Sequence, residues 1–239
     1  AAKVAVRKNP ILPLEKNQTH LVLDGSCDLE LLSVKLNGTR LEEDSYRRED
    51  ETLTIFAMPD KAVVETLVHI KPHKNTSLNG LYKSRGMYCT QCEAQGFREI
   101  TFYLDRPDIL SEFTTHVIAD REEFPVLLSN GNKVSHQQLD GGRHQVTWHD
   151  PFRKPSYLFA LVGGKLSLVE DYFVTCSGRS VALQIFVEEK DTDKCDHAMQ
   201  SLKKAMRWDE QIYGREYDLD VFMIVAVDDF NMGAMENKG

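Results

Sequence analysis

Leu219-Asp220-Val221-Phe222-Met223-Ile224-Val225-Ala226-Val227 runs directly into Asp228-Asp229-Phe230-Asn231-Met232-Gly233-Ala234-Met235-Glu236-Asn237-Lys238-Gly239. A nearly unbroken apolar run stops at two carboxylates. A segment of small and polar residues follows, with one glutamate beside an asparagine. A short continuous apolar run bounded this way reads as a buried strand. Lys238-Gly239 has none of the character of a domain's end. The chain is therefore expected to be a piece of a longer protein, cut just past something chemical.

Upstream of this stretch the periodicity is helical. Ala198, Leu202, Ala205, Met206, Ile212 and Tyr213 recur on one face, with Lys203, Lys204 and Arg207 off it. Asp191, Thr192 or Asp193 can cap the start, and Gly214 is a natural stop. Before Asp191 the pattern belongs to strands. Lys3–Arg7, His20–Leu23, Leu31–Leu36, Thr52–Phe56, Ala62–Ile70, Ile100–Leu104, Phe113–Ala119, Val126–Leu128, Val146–Trp148 and Tyr157–Val162 are short apolar or alternating runs. Asn37-Gly38, Asn79-Gly80, Asn130-Gly131, Gly141-Gly142 and Gly163-Gly164 punctuate them. Ser177-Gly178 sits between Tyr172–Cys176 and Ser180–Val187 as in a hairpin. The expected architecture is mostly β, a sandwich or curved pair of sheets, with a C-terminal helix and strand. The boundary falls near 188–191, giving one domain over 1–189, its beginning expected to be missing, and a second begun at 190–239.

Composition narrows the classes. With 239 residues, 41% hydrophobic and 28% charged, the chain fits a soluble globular protein. A net charge of −8 argues against a general nucleic-acid binder and suits a cationic ligand end such as a free peptide amine. No run approaches the ~18–20 apolar residues of a membrane span. Residues 1–25 show no signal-peptide pattern. Five cysteines, odd in number and widely spaced, do not read as a disulfide framework. A reducing compartment, the cytoplasm or the stroma or matrix of an organelle, is the expected location.

Three places carry candidate chemistry. Cys89-Thr90-Gln91-Cys92 has the spacing of a redox pair or half a zinc site, but its neighbours read as strands and no second Cys-x-x-Cys exists. Two buried thiols beside another function is the better reading. Glu93 follows at once, either as that function or as a solvated loop carboxylate. The eight histidines include no His-Glu-x-x-His, and no metal ligand is expected in this chain. The final segment is the third. Gly233-Ala234 leaves room for another backbone, as in strand addition. Glu236 can accept from an ammonium, whose three donors want more than one acceptor, and Glu93 can supply a second carboxylate. Two carboxylates repel, and a cationic amine between them relieves that repulsion. The same residues would also serve as an ordinary turn after a buried strand.

Gly233-Ala234-Met235-Glu236-Asn237 resembles the GAMEN signature of the zinc aminopeptidases of the aminopeptidase N type. Cys89–Arg98, Asp105–Asp108, Leu128–Asn132, Lys154-Pro155 with Tyr157–Val162, and Tyr217–Asp220 resemble blocks of the bacterial and plant-like alanyl branch, in the right order. The resemblance runs from about residue 10 to the end. It implies a saddle-like N-terminal β domain followed by the start of a thermolysin-like α/β catalytic domain. It also implies that Glu93 and Glu236 hold the substrate's free α-amino group. Gln91 and Met232 would line the pocket for the first side chain. Gly233 and Ala234 would pair with substrate backbone, and Met235 and Asn237 complete the motif. The implied cofactor is one zinc ion per full-length protein, with its ligands, base and transition-state tyrosine beyond residue 239. Implied partners are peptides with a free N-terminus and the rest of the catalytic domain. The competing readings are a peptide-amine-binding module without metal and a thiol oxidoreductase using Cys89 and Cys92. The purified 239-residue chain is expected to show no aminopeptidase turnover and to bind no catalytic zinc. Measurable release of N-terminal residues by that chain would overturn this.

Overall fold

The structure, a computed structural model, describes residues 1–8, 19–230 and 232–239. Asn231, within the opening stretch, lies outside the described residues. The strands in chain order are β1 (Ala2–Arg7), β2 (Leu21–Asp24), β3 (Glu30–Leu36), β4 (Thr39–Arg40), β5 (Tyr46–Glu49), β6 (Thr52–Ile55), β7 (Lys61–His69), β8 (Gly80–Ser84), β9 (Met87–Gln91), β10 (Ser111–Asp120), β11 (Val126–Ser129) and β12 (Asn132–Gln138). Then come β13 (Arg143–Lys154), β14 (Leu161–Gly164), β15 (Ser167–Val174), β16 (Ser180–Val187), the helix α1 (Asp196–Tyr213) and β17 (Val221–Val225). The chain divides into two compact units. One holds Ala1–Tyr82, Gln91–Leu110 and Pro155–Leu158, the other Lys83–Thr90, Ser111–Lys154 and Phe159–Gly239.

The first unit contains two antiparallel sheets, ordered β1-β7-β3-β4 and β2-β6-β5. Alternation along β7 turns Ala62, Val64 and Thr66 inward. Val34 and Val64 of one sheet share a core with Leu23, Leu53 and Ile55 of the other, joined by Leu29 and Phe102. Two sheets sharing one apolar layer make the expected sandwich. Ile100–Leu104 departs from the sequence reading, which made it a strand. Phe97–Glu99 forms a 3-10 turn, and only Tyr103 bridges to Asp24. The run is apolar because Phe102 is buried in the core at 0% exposure, not because it joins a ladder.

The second unit is built from sheets ordered β10-β13-β12, β11-β14-β9-β8 and β15-β16-β17. The expected short strand at Val146–Trp148 is the middle of the long β13, which pairs antiparallel on both sides. The expected strand at Tyr157–Val162 breaks in two. A 3-10 turn occupies Ser156–Leu158, after a proline that has no N–H to give a ladder, and β14 starts only at Leu161. His144 is fully buried, and its Nε2–H donates to the Phe124 carbonyl at 2.8 Å. Its Nδ1 must then accept, and His136 Nε2–H supplies the proton at 2.9 Å.

β16 and β17 run parallel, from Ala182↔Val221 to Phe186↔Val225. A parallel pair cannot close through a tight turn, so α1 makes the crossover. Met199, Leu202 and Met206 of α1 bury against Val181, Leu183 and Ile185 of β16. Burying each such side chain contributes about 1.5–3 kcal/mol. α1 begins later than its acidic cap candidates. Glu189–Lys194 forms a 3-10 turn first, and the Thr192 hydroxyl donates back to Glu189 O instead of capping. Gly214 ends α1 in the left-handed conformation, φ +60°, as expected. β17 was expected to be buried, but all five of its residues are half-buried. It is an outer strand of its sheet, and only Phe222 and Ile224 pack on the core under α1. No helix among the described residues is long and apolar enough to cross a membrane.

Among the described residues, one ion pair is fully inside. Lys154 Nζ donates to Asp150 Oδ2 at 2.9 Å, with the side chains 4% and 0% exposed. The ammonium also sits 4.1 Å from the centre of the Phe113 ring. Burial lowers the Lys154 pKa, and Asp150 opposes that shift. Lys154→Met leaves the Asp150 carboxylate buried without its cation. We expect a loss of about 3–5 kcal/mol of stability, read from the denaturant midpoint at unchanged slope.

Candidate functional site

The sequence-predicted site residues fall in two places, one in each unit. In the first unit, Gln91 ends β9 and the chain turns sharply through Cys92–Phe97. A Cβ on Gly96 would lie 2.4 Å from Gln91 O and 2.5 Å from Asn79 Oδ1, so only glycine lets the loop close this tightly. Asp105, 2% exposed, ties the loop down. Its Oδ2 accepts the Arg98 backbone N–H and Nε–H, both at 3.1 Å, and its Oδ1 accepts the Ser156 hydroxyl at 2.5 Å. Gln91 is buried, and its Nε2 donates to Glu93 O at 3.5 Å. The Glu93–Ala94 peptide bond is cis. Glu93 itself is exposed, and nothing among the described residues pairs with its carboxylate. Cys92 is wholly buried, and burial first, then Asp105, pushes its thiol pKa far up. A buried thiol held protonated is a poor nucleophile, which weighs against the redox reading of the Cys-x-x-Cys.

In the second unit, the segment after β17 carries the rest. Asp228 Oδ2 receives Arg85 Nη1 at 2.5 Å and Lys190 Nζ at 3.4 Å, and Arg85 Nε also reaches Asp229 at 3.4 Å. Arg85 stands at φ +49° in the turn between β8 and β9. Met232 is 49% exposed. A Cβ added to Gly233 would meet no heavy atom within 4 Å, so the backbone there is open-sided. Ala234 and Glu236 are exposed, Met235 and Asn237 half-buried. Nothing among the described residues pairs with the Glu236 carboxylate. The neighbouring Asn237 Oδ1 is a buried acceptor without a partner among them. Lys238 is held closely. Its Nζ pairs with Asp218 and lies 4.8 Å from the Phe152 ring centre, and its carbonyl accepts Asn130 Nδ2–H at 2.6 Å. The exposed, unpaired Glu236 carboxylate is an acceptor suited to an ammonium.

Arg85, Asn130 and Asp218 were not among the residues singled out by sequence. Asn130-Gly131 carried a turn signal and, like Asp218, fell within a block of family resemblance, but nothing local marks the partner of an asparagine far along the chain.

Cys176, Glu210 and Glu216 also converge, with one ligand-type atom from each within 4.8 Å of the others. Their oxygens are already engaged at the tip of the β15–β16 hairpin. Glu216 Oε1 accepts the Cys176 S–H at 2.9 Å and the Ser177 N–H at 3.0 Å, Oε2 accepts the Ser177 hydroxyl at 2.7 Å, and Glu210 Oε1 accepts the Cys176 N–H at 3.0 Å. With no imidazole and its acceptors taken, this set does not fit a catalytic zinc. It is a clasp between α1 and the hairpin.

Comparison with known proteins places these features in a family. The Peptidase M1 N-terminal domain matches residues 7–158, and the Peptidase family M1 domain matches residues 197–239. The chain belongs to peptidase family M1. It is 55% identical over 219 residues to an aminopeptidase N of Caulobacter vibrioides, covering 92% of this chain and 25% of that protein. It is 52% identical over 212 residues to an aminopeptidase N of Escherichia coli, covering 89% and 24%. A crystal structure of Legionella pneumophila aminopeptidase A in complex with aspartic acid superposes with a TM-score of 0.91 at 36% identity, covering 97% of this chain and 27% of that one. The chain thus spans about a quarter of the length of these relatives.

The clasp makes a prediction about acid. Hydrogen bonds from Cys176 and then Ser177 pull the Glu216 carboxyl from an ordinary 4.5 down to about 2. A depressed folded pKa means that the unfolded chain takes up the proton first. Glu216 therefore contributes fully above pH 4.5, and its contribution is lost as pH falls from 4.5 toward 2. Denaturant midpoints measured across that window should fall less steeply for Glu216→Gln than for the unmodified chain.

Proposed function

We propose that the protein containing this chain is a zinc-dependent aminopeptidase that removes the N-terminal residue of peptides. In this reading Glu236, with Glu93 as the second carboxylate, anchors the substrate's free α-ammonium. The observation that carries the reading is the exposed, unpaired Glu236 carboxylate on an open-sided segment, in a chain of family M1. The named relatives are aminopeptidases, and the Legionella neighbour is described with a free amino acid bound. Gln91, buried at the loop carrying Glu93, and the exposed Met232 are proposed to line the pocket for the first side chain. Gly233 and Ala234 are proposed to take the substrate backbone as an added strand.

The anchor has a clear physical role. An ammonium held by carboxylates fixes which bond of the peptide lies at the reacting centre, so only a chain end presents a cleavable bond. Zinc, when bound, would polarise that carbonyl, and none of the residues described here is assigned to it. The first domain is proposed to span 1–189 and the second to begin at 190, with a cytoplasmic or organellar location.

In the intact protein, Glu236→Ala should weaken ligands bearing a free amine by about 2–5 kcal/mol more than matched ligands lacking it. Inhibition constants for a dipeptide and its N-acetylated form measure this directly. Equal losses for both would rule out the anchor.

A further inference from the structure

The turn joining β11 to β12, Ser129-Asn130-Gly131-Asn132, touches the site segment at both of its ends. At the near end, Asn132 and Asp220 exchange two hydrogen bonds just before β17. Asn132 Nδ2 donates to Asp220 Oδ2 at 2.8 Å, and Asp220 N donates to Asn132 Oδ1 at 3.0 Å. At the far end, Asn130 Nδ2 donates to the Lys238 carbonyl at 2.6 Å. Asn130 is 3% exposed and is itself held from behind, because its Oδ1 accepts the Ala160 N–H at 2.8 Å. Ser129 Oγ closes the same grip by donating to Ala160 O at 2.7 Å. The turn is seated on β13. Gly131 has φ +89°, and a Cβ there would lie 2.2 Å from His149 O. The two backbones run so close that a Cβ on Gly239 would lie 2.7 Å from Gly131 N.

We propose that Asn130 and Asn132 are positioning residues for the amine-binding segment. The turn acts as a staple that sets where β17 enters and where Lys238 leaves, and so holds Glu236 and Asn237 at a fixed place against the sheet. The proposal rests on the amine-anchor reading given above. Its physical basis is that a side-chain amide can donate and accept at once. Asn130 uses both functions, bridging the start of β14 to the backbone next to the site. The ion pairs of Asp228 and Asp229 with Arg85 hold the same segment at its middle, but those side chains are 33–57% exposed and solvent screens them. Within the staple, Asn130 is the buried contact, whereas the Asn132–Asp220 pair is exposed.

Asn130→Asp separates the two functions. The carboxylate keeps the shape and still accepts from Ala160, but it now faces the Lys238 carbonyl with no proton between them. In the intact protein we expect KM for alanyl-p-nitroanilide to rise about tenfold or more, because a displaced anchor group holds the ammonium less well in ground state and transition state alike. kcat at saturation should stay within about twofold. Inhibition by an N-acetylated dipeptide should be unchanged, while the free dipeptide weakens in parallel with KM. At the other end, Asn132→Asp sets two carboxylates against each other and should raise KM too. Exchanging the pair, Asn132→Asp with Asp220→Asn, restores one donor and one acceptor and should bring KM back. This exchange keeps the inference testable should Asn130→Asp fold poorly. Unchanged KM in the Asn130 variant, or no recovery in the exchanged pair, would overturn the staple while the Glu236→Ala result leaves the anchor standing. A Glu236→Ala enzyme with unaltered amine selectivity would remove the anchor, and the staple's role with it.

Discussion

Parallel pairing of β17 on β16 is the constraint on which the candidate site depends. The ladder from Ala182↔Val221 to Phe186↔Val225 demands a crossover, and α1 supplies it while covering the sheet with Met199, Leu202 and Met206. Once that register is set, the chain beyond Val225 can leave the sheet at one place only. Everything that shapes Asp228–Gly239 acts on a segment whose start is already decided. A one-residue slip of β17 would take Phe222 and Ile224 off the core and carry the whole segment with it.

The contacts that hold this segment differ in weight. The Arg85–Asp228 pair is the most visible, yet exposed ion pairs contribute about 0.2–1 kcal/mol. The Asn130 amide is neutral and less conspicuous. It is buried, and leaving a buried donor unmade costs about 1–3 kcal/mol. Low dielectric strengthens what is paired inside and penalises what is not. The same rule explains Asp105, which shapes the Glu93 loop from within the first unit through Arg98 and Ser156. In both units, then, an exposed carboxylate is presented by a backbone that buried polar groups hold in place.

In the proposed function these two carboxylates share one task, holding a peptide's free amine, and membership of family M1 supports that reading. The likeness to the aminopeptidase N relatives extends over nine-tenths of this chain, and the chain spans a quarter of their length. The thiols, by contrast, have a packing role. Cys92 lies wholly inside, with its thiolate disfavoured by burial and by Asp105.

Much of the fold was legible because its signals are local. Period-two alternation marked β1 and β6, the Asn37-Gly38 turn closed β3, β-branched residues marked β7, the 3.6 period marked α1, and Gly214 marked its end. Reading failed where apolar character served the core instead of a ladder, as at Phe102, and where Pro155 interrupted a run of suitable residues. Glu93 and Glu236 could be named from residue chemistry and family resemblance. Their surroundings could not, since Asn130 and Lys238 meet across 108 positions of sequence. The sequence by itself determined which residues make strands, helix and acceptor groups, because those follow from side-chain shape and spacing within a few positions. Tertiary structure alone decided that β17 is half-buried, that Asn130 is spent on Lys238, and that Asn237 keeps a buried oxygen without a partner among the described residues. Each of those is a question of which distant group arrives nearby, and only the packed sheets answer it.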